Sequence, residues 1–532
     1  MSTLPFLTGA IGFAIVWVLI PQILRYSSRT AWLQRTPDFH HTNEAPVARF
    51  GGLALMVAFL VIELLLTVAG PVEREHPLTR LVVVLSCAAM FGLGFWDDIR
   101  PLGAKRKLAG QVLIALAVWG CGLGVETFKL PVTGLIISLH GWGVVFTVLW
   151  LVGMTNLINL IDGVDGLAGG ICLMLMVLTI YVGRQNGTFE LLAPGMAGAL
   201  LAFLRYNFPP ARIYLGDGGA YFLGFQIGLY ALINSQKGTI FAALVAPLFV
   251  LALPILDTSL AILRRGLRGL PIFRPDRRHI HHHLLGMGFS RRQVVISMYS
   301  VTLFFLVLGW IAYWSRGELV PTLLGLGMVV LLLCAGQLDF SREWFAVGRV
   351  LGNSLDMRRD IQYALSLTRW LALEGRRSPS VEELWSDLTF AARKLGFASL
   401  RLTLENGARA WRRPDLGQSV ECFRYELQCG CAGALEFGVP RPSQGLPAPS
   451  ESPGFVSAQG CDLFEILSEL LAEAWVKAAR SWLNDNGASL RFSRGQPAQA
   501  HRPNTTSAAS LISQDKRAPL SSNRTAMADC KK

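Results

Sequence analysis

Charge is scarce in this sequence, and acidic charge most of all. Asp, Glu, Lys and Arg make up 16% of the residues, against about 25% in an ordinary soluble domain. Only sixteen of the 36 acidic residues precede residue 340, so each carboxylate there needs a reason. Cysteine offers no scaffold either, because the nine cysteines include no CxxC pair of zinc spacing. Cys87, Cys121, Cys172 and Cys334 fall in apolar stretches and read as small buried hydrophobes. A disulfide-stapled secreted scaffold and a zinc ribbon are excluded. Also missing are a basic n-region before the first apolar run and a small-residue cleavage site after it. That run therefore reads as a retained helix rather than a signal peptide.

What is present is apolar. Residues of the AVILMFWYC set make up 52% of the 532, and they are clustered. Long apolar stretches cover 5–24, 50–70, 79–96, 108–124, 142–160, 168–183, 191–204, 219–234, 240–263, 296–314 and 320–338, many near the ~20 residues that cross a bilayer. The reading is a polytopic α-helical membrane protein with about eleven transmembrane helices, and a soluble Rossmann enzyme is excluded for residues 1–339. The loops after spans 1, 3, 5, 7 and 9 hold 18 Lys and Arg, against 6 on the other side. Short cytoplasmic loops carry that excess, so the N-terminus is expected outside and the C-terminus in the cytoplasm.

After Asp339 the apolar runs stop. Helices are expected over 355–373, 380–395 and 461–483, and strands over 398–404, 421–428 and 432–438. This gives a cytoplasmic α+β domain over 340–484, with a faint GAF-like order of elements, and a basic disordered tail over 485–532. The tail's last 42 residues hold eight Lys and Arg against two Asp, which would suit anionic lipid; a solvated tail without a partner reads equally well.

The chemistry concentrates in four clusters at the expected cytoplasmic span ends. Asp97 and Asp98 are followed by Lys105, Arg106 and Lys107, a carboxylate pair with phosphate-binding cations beyond it. Asn156, Asn159, Asp162 and Asp165 recur every three residues before Gly166, one stripe on a helix, which could serve a site or form a polar seam between helices. Asp217 sits among Gly216, Gly218 and Gly219 at a helix start, as a metal ligand, a cap or both. Arg264 and Arg265 precede His279, His281, His282 and His283, which are four of the nine histidines. Zinc is disfavoured there, since no cysteine lies in that loop to support it; donors to phosphate fit better. Asp276 lies in that loop too, and so many carboxylates on one face suit a hard cation such as Mg2+. Glu63, inside a span, is expected to face a neighbouring helix or water, and Asp257 to partner nearby basic residues.

In this order and on alternate loops, the clusters resemble the polyprenyl-phosphate N-acetylhexosamine-1-phosphate transferase family, of glycosyltransferase 4 type. The resemblance covers most of residues 20–300 and includes Arg49-Phe50-Gly51-Gly52. The run from Asn156 to Gly170 and the Asp276–His282 segment look like its undecaprenyl-phosphate GlcNAc-1-phosphate branch. The resemblance implies transfer of a sugar-1-phosphate from a UDP-sugar to a membrane polyprenyl phosphate with release of UMP, starting a lipid-linked glycan. It implies catalytic roles for Asp97, Asp98 and Asp162, and substrate binding by Lys105, Lys107, Asn156, Asp165, Arg265, His279, His281 and His282. It further implies a metal site at Asp217 and Asn159, with Mg2+ as cofactor and Mn2+ as a substitute.

The setting it implies is the bacterial inner membrane, crossed many times, with the active site on the cytoplasmic face. No nucleic acid is involved, a homodimer is admitted, and the ligand or partner of residues 340–484 is unspecified. Ile280-His281-His282-His283 also resembles the triple-His motif of the phospho-MurNAc-pentapeptide transferases, but Leu284-Leu285 stand where that branch has an aromatic and an acid. Ala220 replaces a usual hydroxyl residue. A transporter with intramembrane acids, or a membrane-tethered sensor acting through its C-terminal region, are the readings from other classes; acids at one face and no visible repeat speak against the transporter.

Overall fold

The computed structural model describes residues 3–29, 47–68, 76–129, 135–187, 191–237, 240–268, 284–285, 287–316, 318–337, 354–404, 406–413, 420–427, 433–440, 461–486 and 490–492. The chain divides into two compact units, Met1–Ile361 and Gln362–Lys532.

The first unit is helical. Its described helices are α1 (Leu4–Arg29), α2 (Gly51–Val68), α3 (Pro77–Ile99), α4 (Ala104–Gly120), α5 (Trp142–Ile161), α6 (Leu167–Asn186), α7 (Leu192–Asn207), α8 (Gly216–Lys237), α9 (Ile240–Val250), α10 (Ala252–Arg268), α11 (Arg291–Trp314) and α12 (Val320–Gln337). Among the described residues, six of these (α1, α2, α3, α5, α6 and α11) are long and apolar enough to cross a membrane. A short antiparallel hairpin, β1 (Thr127–Lys129) with β2 (Ile136–Ser138), lies between α4 and α5. The stretch read as one span over 240–263 is divided at Leu251 into α9 and α10. Pro254 has no N–H to donate back to Val250, and Pro247 lies inside α9, so a continuous helix is weakened there from both sides.

α8 forms the centre. It packs against α2, α3, α5, α6 and α9, and every residue from Gly218 to Ser235 is buried. A helix buried on every side has no solvent or lipid face to present. Such packing requires close backbone approach. A Cβ at Gly94 of α3 would stand 2.5 Å from the Asp217 carbonyl oxygen, so only glycine lets α3 and α8 meet at that level. At the start of α2, the Gly51 and Gly52 N–H groups donate to the Tyr214 and Leu215 carbonyls at 2.9 Å each, and the Tyr214 N–H donates to Ala48. The segment leading into α8 is therefore laid alongside the one leading into α2. Glu63, buried in α2, pairs with Arg80 of α3 at 2.6 Å, which satisfies its charge within the bundle.

The second unit carries the end of α13 (Ser354–Glu374), then α14 (Val381–Lys394), β3 (Ser399–Leu404), β4 (Gly407–Arg412), β5 (Val420–Leu427), β6 (Gly433–Pro440) and α15 (Cys461–Asn486). The four strands form an antiparallel sheet in the order β4-β3-β6-β5. Leu400, Leu402 and Leu404 alternate on its inner face opposite Phe437 and Leu435, all buried, and α15 packs on β5, β6 and α14. The expected strands and helices coincide with observed ones, and β4 is additional. Its residues are exposed or half-buried along the whole strand, so it lacks the buried alternation that marks a strand in sequence. Most of the expected tail, and the junction at 339–340, lie outside the described residues.

Candidate active site

The site forms where α3 and α5 end and α4 and α8 begin, all at one end of the bundle. Lys107, in the first turn of α4, stands between two carboxylates. Its Nζ pairs with Asp97, and at 2.9 Å with Asp217 Oδ2. Asp97 is buried, and its Oδ1 accepts the Leu102 N–H at 2.6 Å, so its orientation is held from two sides. Asp98 points elsewhere, as adjacent residues at a helix end must. Its Oδ1 accepts the Asp217 N–H at 3.0 Å and its Oδ2 the Gly218 N–H at 2.9 Å. The carboxylate closing α3 thus caps α8, satisfying two orphan N–H groups and opposing the positive end of the helix dipole. Gly216 makes this possible with a φ of +77°. A Cβ there would meet the Arg49 carbonyl oxygen and stand 2.8 Å from Asp98 Oδ2.

Asp162 follows the last turn of α5, half-buried, its N–H reaching the Asn159 carbonyl at 3.4 Å. It shares its electrostatic surroundings with Asp217, Asp98, Asp165 and Arg49. Asp165 Oδ2 accepts the Ala211 N–H at 3.0 Å, tying the turn after α5 to the segment before α8. The stripe of four polar residues therefore divides. Asn156 is a seam residue: its Nδ2 donates to Gln111 Oε1 of α4 at 2.6 Å and to the Val152 carbonyl at 2.8 Å. Its amide is thus used between helices, on a residue one turn along α4 from Lys107. Lys105 is exposed, and its position two residues before Lys107 sends it round the helix from the carboxylates. Arg265 lies near the end of α10; His279, His281 and His282, like Asp276, lie outside the described residues.

Two residues that sequence reasoning missed also belong here. Tyr221, one turn after Asp217 and buried, lies in the field of Asp217, Lys107 and Asp97; its i+4 spacing from Asp217 was the available signal. Asn207, 3% exposed at the end of α7, accepts the Gly166 N–H and donates to the Ile213 carbonyl. An amide closing an apolar span just before Pro209 was its only mark.

Asp97 and Asp217 share Lys107, and Asp98 and Asp162 lie in the field of Arg49 with Asp165 beside Asp162, so acid outnumbers the base it meets. Among the described residues no three His, Cys, Asp or Glu side chains are grouped closely enough to enclose a metal ion. The donor set suits a cation that takes one or two carboxylates and completes its shell with water and phosphate, which is how Mg2+ is commonly held.

Fold and site together define a polytopic helical membrane protein with a carboxylate and lysine centre at one end of its bundle. The sequence pattern of glycosyl transferase family 4 matches residues 80–235, which run from the first turn of α3 to the last turn of α8. The chain is 32% identical over 297 residues to a Bacillus subtilis protein named "Probable undecaprenyl-phosphate N-acetylglucosaminyl 1-phosphate transferase", covering 56% of this chain and 81% of that one. It is 32% identical over 290 residues to the "Decaprenyl-phosphate N-acetylglucosaminephosphotransferase" of Mycobacterium tuberculosis, covering 50% of this chain and 71% of that one. A "Phospho-N-acetylmuramoyl-pentapeptide-transferase" of Moorella thermoacetica is 32% identical over 286 residues, 51% of this chain and 85% of that one. The chain belongs to glycosyl transferase family 4.

Proposed function

We propose that this protein transfers N-acetylglucosamine-1-phosphate from its UDP-sugar to undecaprenyl phosphate, releasing UMP and starting a lipid-linked cell-surface glycan. The observation that carries the reading is the convergence of Asp97, Lys107, Asp98 and Asp217 at one end of a membrane helix bundle, in a chain whose relatives are named for such transfers. An oxygen of the lipid phosphate forms a bond to the sugar-bearing phosphorus of the UDP-sugar. The bond from that phosphorus to the bridging oxygen breaks, and UMP leaves with the electron pair. Both reactants are anions, so positioning and charge neutralisation carry most of such a transfer.

In this reading Asp97, held by Lys107 and the Leu102 N–H, accepts the last proton of the lipid phosphate or aligns its attacking oxygen. Lys107 offers a fixed positive charge between Asp97 and Asp217. Asp98 acts through the backbone of α8, keeping Asp217 in place. Asp217 and Asn159, the latter on α5 one turn before Asp162, would hold Mg2+, which supplies neutralisation of the pyrophosphate oxygens. The excess of basic residues on alternate loops supports an outside N-terminus, a cytoplasmic C-terminus and a site on the cytoplasmic face of the bacterial inner membrane. A count of eleven crossings takes α9 and α10 as one. The C-terminal unit, read as GAF-like, would regulate the transferase or bind a partner.

The test is UMP release by purified protein over a panel of UDP-sugars, with and without polyprenyl phosphate and Mg2+. Release with UDP-GlcNAc that needs both is expected. Preference for UDP-MurNAc-pentapeptide would move the protein to the peptidoglycan branch, and unchanged activity in Asp217→Ala would refute the metal assignment. Solute transport in proteoliposomes without UMP release would favour the transporter.

A further inference from the structure

Gly166 is a junction that the reaction scheme above leaves unexplained. It follows Asp165, stands four residues after Asp162, and has a φ of +79°. Its N–H donates to Asn207 Oδ1 at 3.0 Å, and its carbonyl accepts the Tyr299 hydroxyl of α11 at 2.5 Å. The Asn207 Nδ2 in turn donates to the Ile213 carbonyl at 2.8 Å, four residues before Asp217. A second bond joins the same elements, from Arg292 Nε of α11 to the Pro209 carbonyl at 2.9 Å. The Tyr299 ring has a definite seat, because Gly170 lies directly against it and leaves no space for a Cβ.

Three pieces of chain that sequence separates widely are thus joined through one buried amide and one phenol. One is the turn that carries Asp162 and Asp165, the second is the segment that delivers Asp217, and the third is the helix entered from the histidine-rich loop. We propose that Asn207 and Tyr299 are positioning residues, forming a brace that sets the spacing of the Asp162 turn against the Asp217 segment and ties both to α11. The proposal rests on the transferase reading for its kinetic consequence, but its geometry does not depend on the substrate.

A brace of this kind touches no reacting atom. Its loss lets the two carboxylate-bearing segments drift apart, and partners that hold ligand residues in place typically carry on the order of 10- to 100-fold in activity. A purely structural pair would instead lower the folded fraction and leave turnover per folded molecule unchanged. Tyr299→Phe separates the cases, since it removes one hydroxyl and keeps the ring in its seat.

The experiment uses the full-length protein in nanodiscs, with steady-state UMP release, thermal unfolding, and deuterium exchange of peptides covering 162–170 and 207–215. For Tyr299→Phe, kcat is expected to fall about 10- to 100-fold, with KM for UDP-GlcNAc within about twofold and the unfolding temperature nearly unchanged, because binding groups and packing stay in place. Both peptides should exchange faster. Asn207→Asp keeps an acceptor for Gly166 and loses the donor to Ile213; it should speed exchange in 207–215 more than in 162–170, and it remains usable where Asn207→Ala does not fold. Wild-type kcat with unchanged exchange in Tyr299→Phe overturns the brace, as does activity lost only in proportion to folded protein. If the wild-type protein releases no UMP from any UDP-sugar, the transferase reading fails, and the exchange measurement alone decides the brace: faster exchange in both peptides upholds it and unchanged exchange overturns it.

Discussion

Asp98→Asn tests whether the second carboxylate of the Asp97-Asp98 pair acts on substrate or on α8. In the structure both its oxygens are occupied, by the Asp217 N–H at 3.0 Å and the Gly218 N–H at 2.9 Å. Asparagine keeps one acceptor and turns an NH2 toward the other N–H, so one bond is lost and one donor at the helix start is stranded. A hydrogen bond to a charged acceptor contributes about 1.5–3 kcal/mol, and the anion at the helix N-terminus adds about 0.3–1 kcal/mol. Asp98 is half-buried, which favours the lower end, so a loss of about 2–3 kcal/mol is expected. The same change frees the turn that carries Asp217, and misplacement by about 1 Å can cost about 100-fold in rate. The assay pairs unfolding of the full-length protein in detergent with UMP release. The expected result is a lower unfolding midpoint together with a rate loss of about 100-fold. A midpoint equal to wild type with a rate loss beyond about 1,000-fold would refute the capping argument and return Asp98 to direct chemistry.

Three further outcomes follow from the same geometry. Lys107→Met leaves Asp97 and Asp217 facing each other without the ammonium between them, and UMP release should fall at least about 100-fold, the scale of lost charge stabilisation at a reacting centre; retention of wild-type rates would show that Lys107 is dispensable. Gly216→Ala places a side chain at a φ of +77° against Arg49 and Asp98, so stability should drop by more than the roughly 1–2 kcal/mol of the left-handed conformation alone, and an unchanged unfolding midpoint would contradict the close approach of α2, α3 and α8. In the second unit, burial, then Glu374 and Glu383, pushes the Asp387 carboxyl up to about 6, with the Ser378 hydroxyl opposing. The fold therefore prefers its protonated form, and stability should decline as pH rises from about 4 to about 6 and stay low above that. Asp387→Asn should remove this slope, read as the unfolding midpoint of the second unit against pH; a slope surviving in the variant assigns it to another group.

The membrane character, the helical ranges and the carboxylate clusters were legible in the sequence because each is a local pattern. Apolar runs near 20 residues mark helices wherever they pack, and an acid at the end of such a run is conspicuous because burying it is costly. What stayed hidden depended on partners far along the chain. Asn156 and Asp162 look alike on one stripe, yet the first donates to Gln111, 45 residues away, a partner that no local pattern points to. Asp97 and Asp98 are neighbours of one type, and the chain 119 residues on separates their roles. Asn207 and Tyr299 carry no motif, because a brace is defined by the two backbones it spans.

The sequence by itself determined that this chain belongs in a bilayer and that a few acids and bases collect at span ends, since hydropathy and charge cost act residue by residue. Only the tertiary structure decided which carboxylate meets Lys107, which one caps α8, and which amide holds the turn beside Asp162. Hydrogen bonds and ion pairs act within about 3–4 Å, and no spacing along the chain measures that distance.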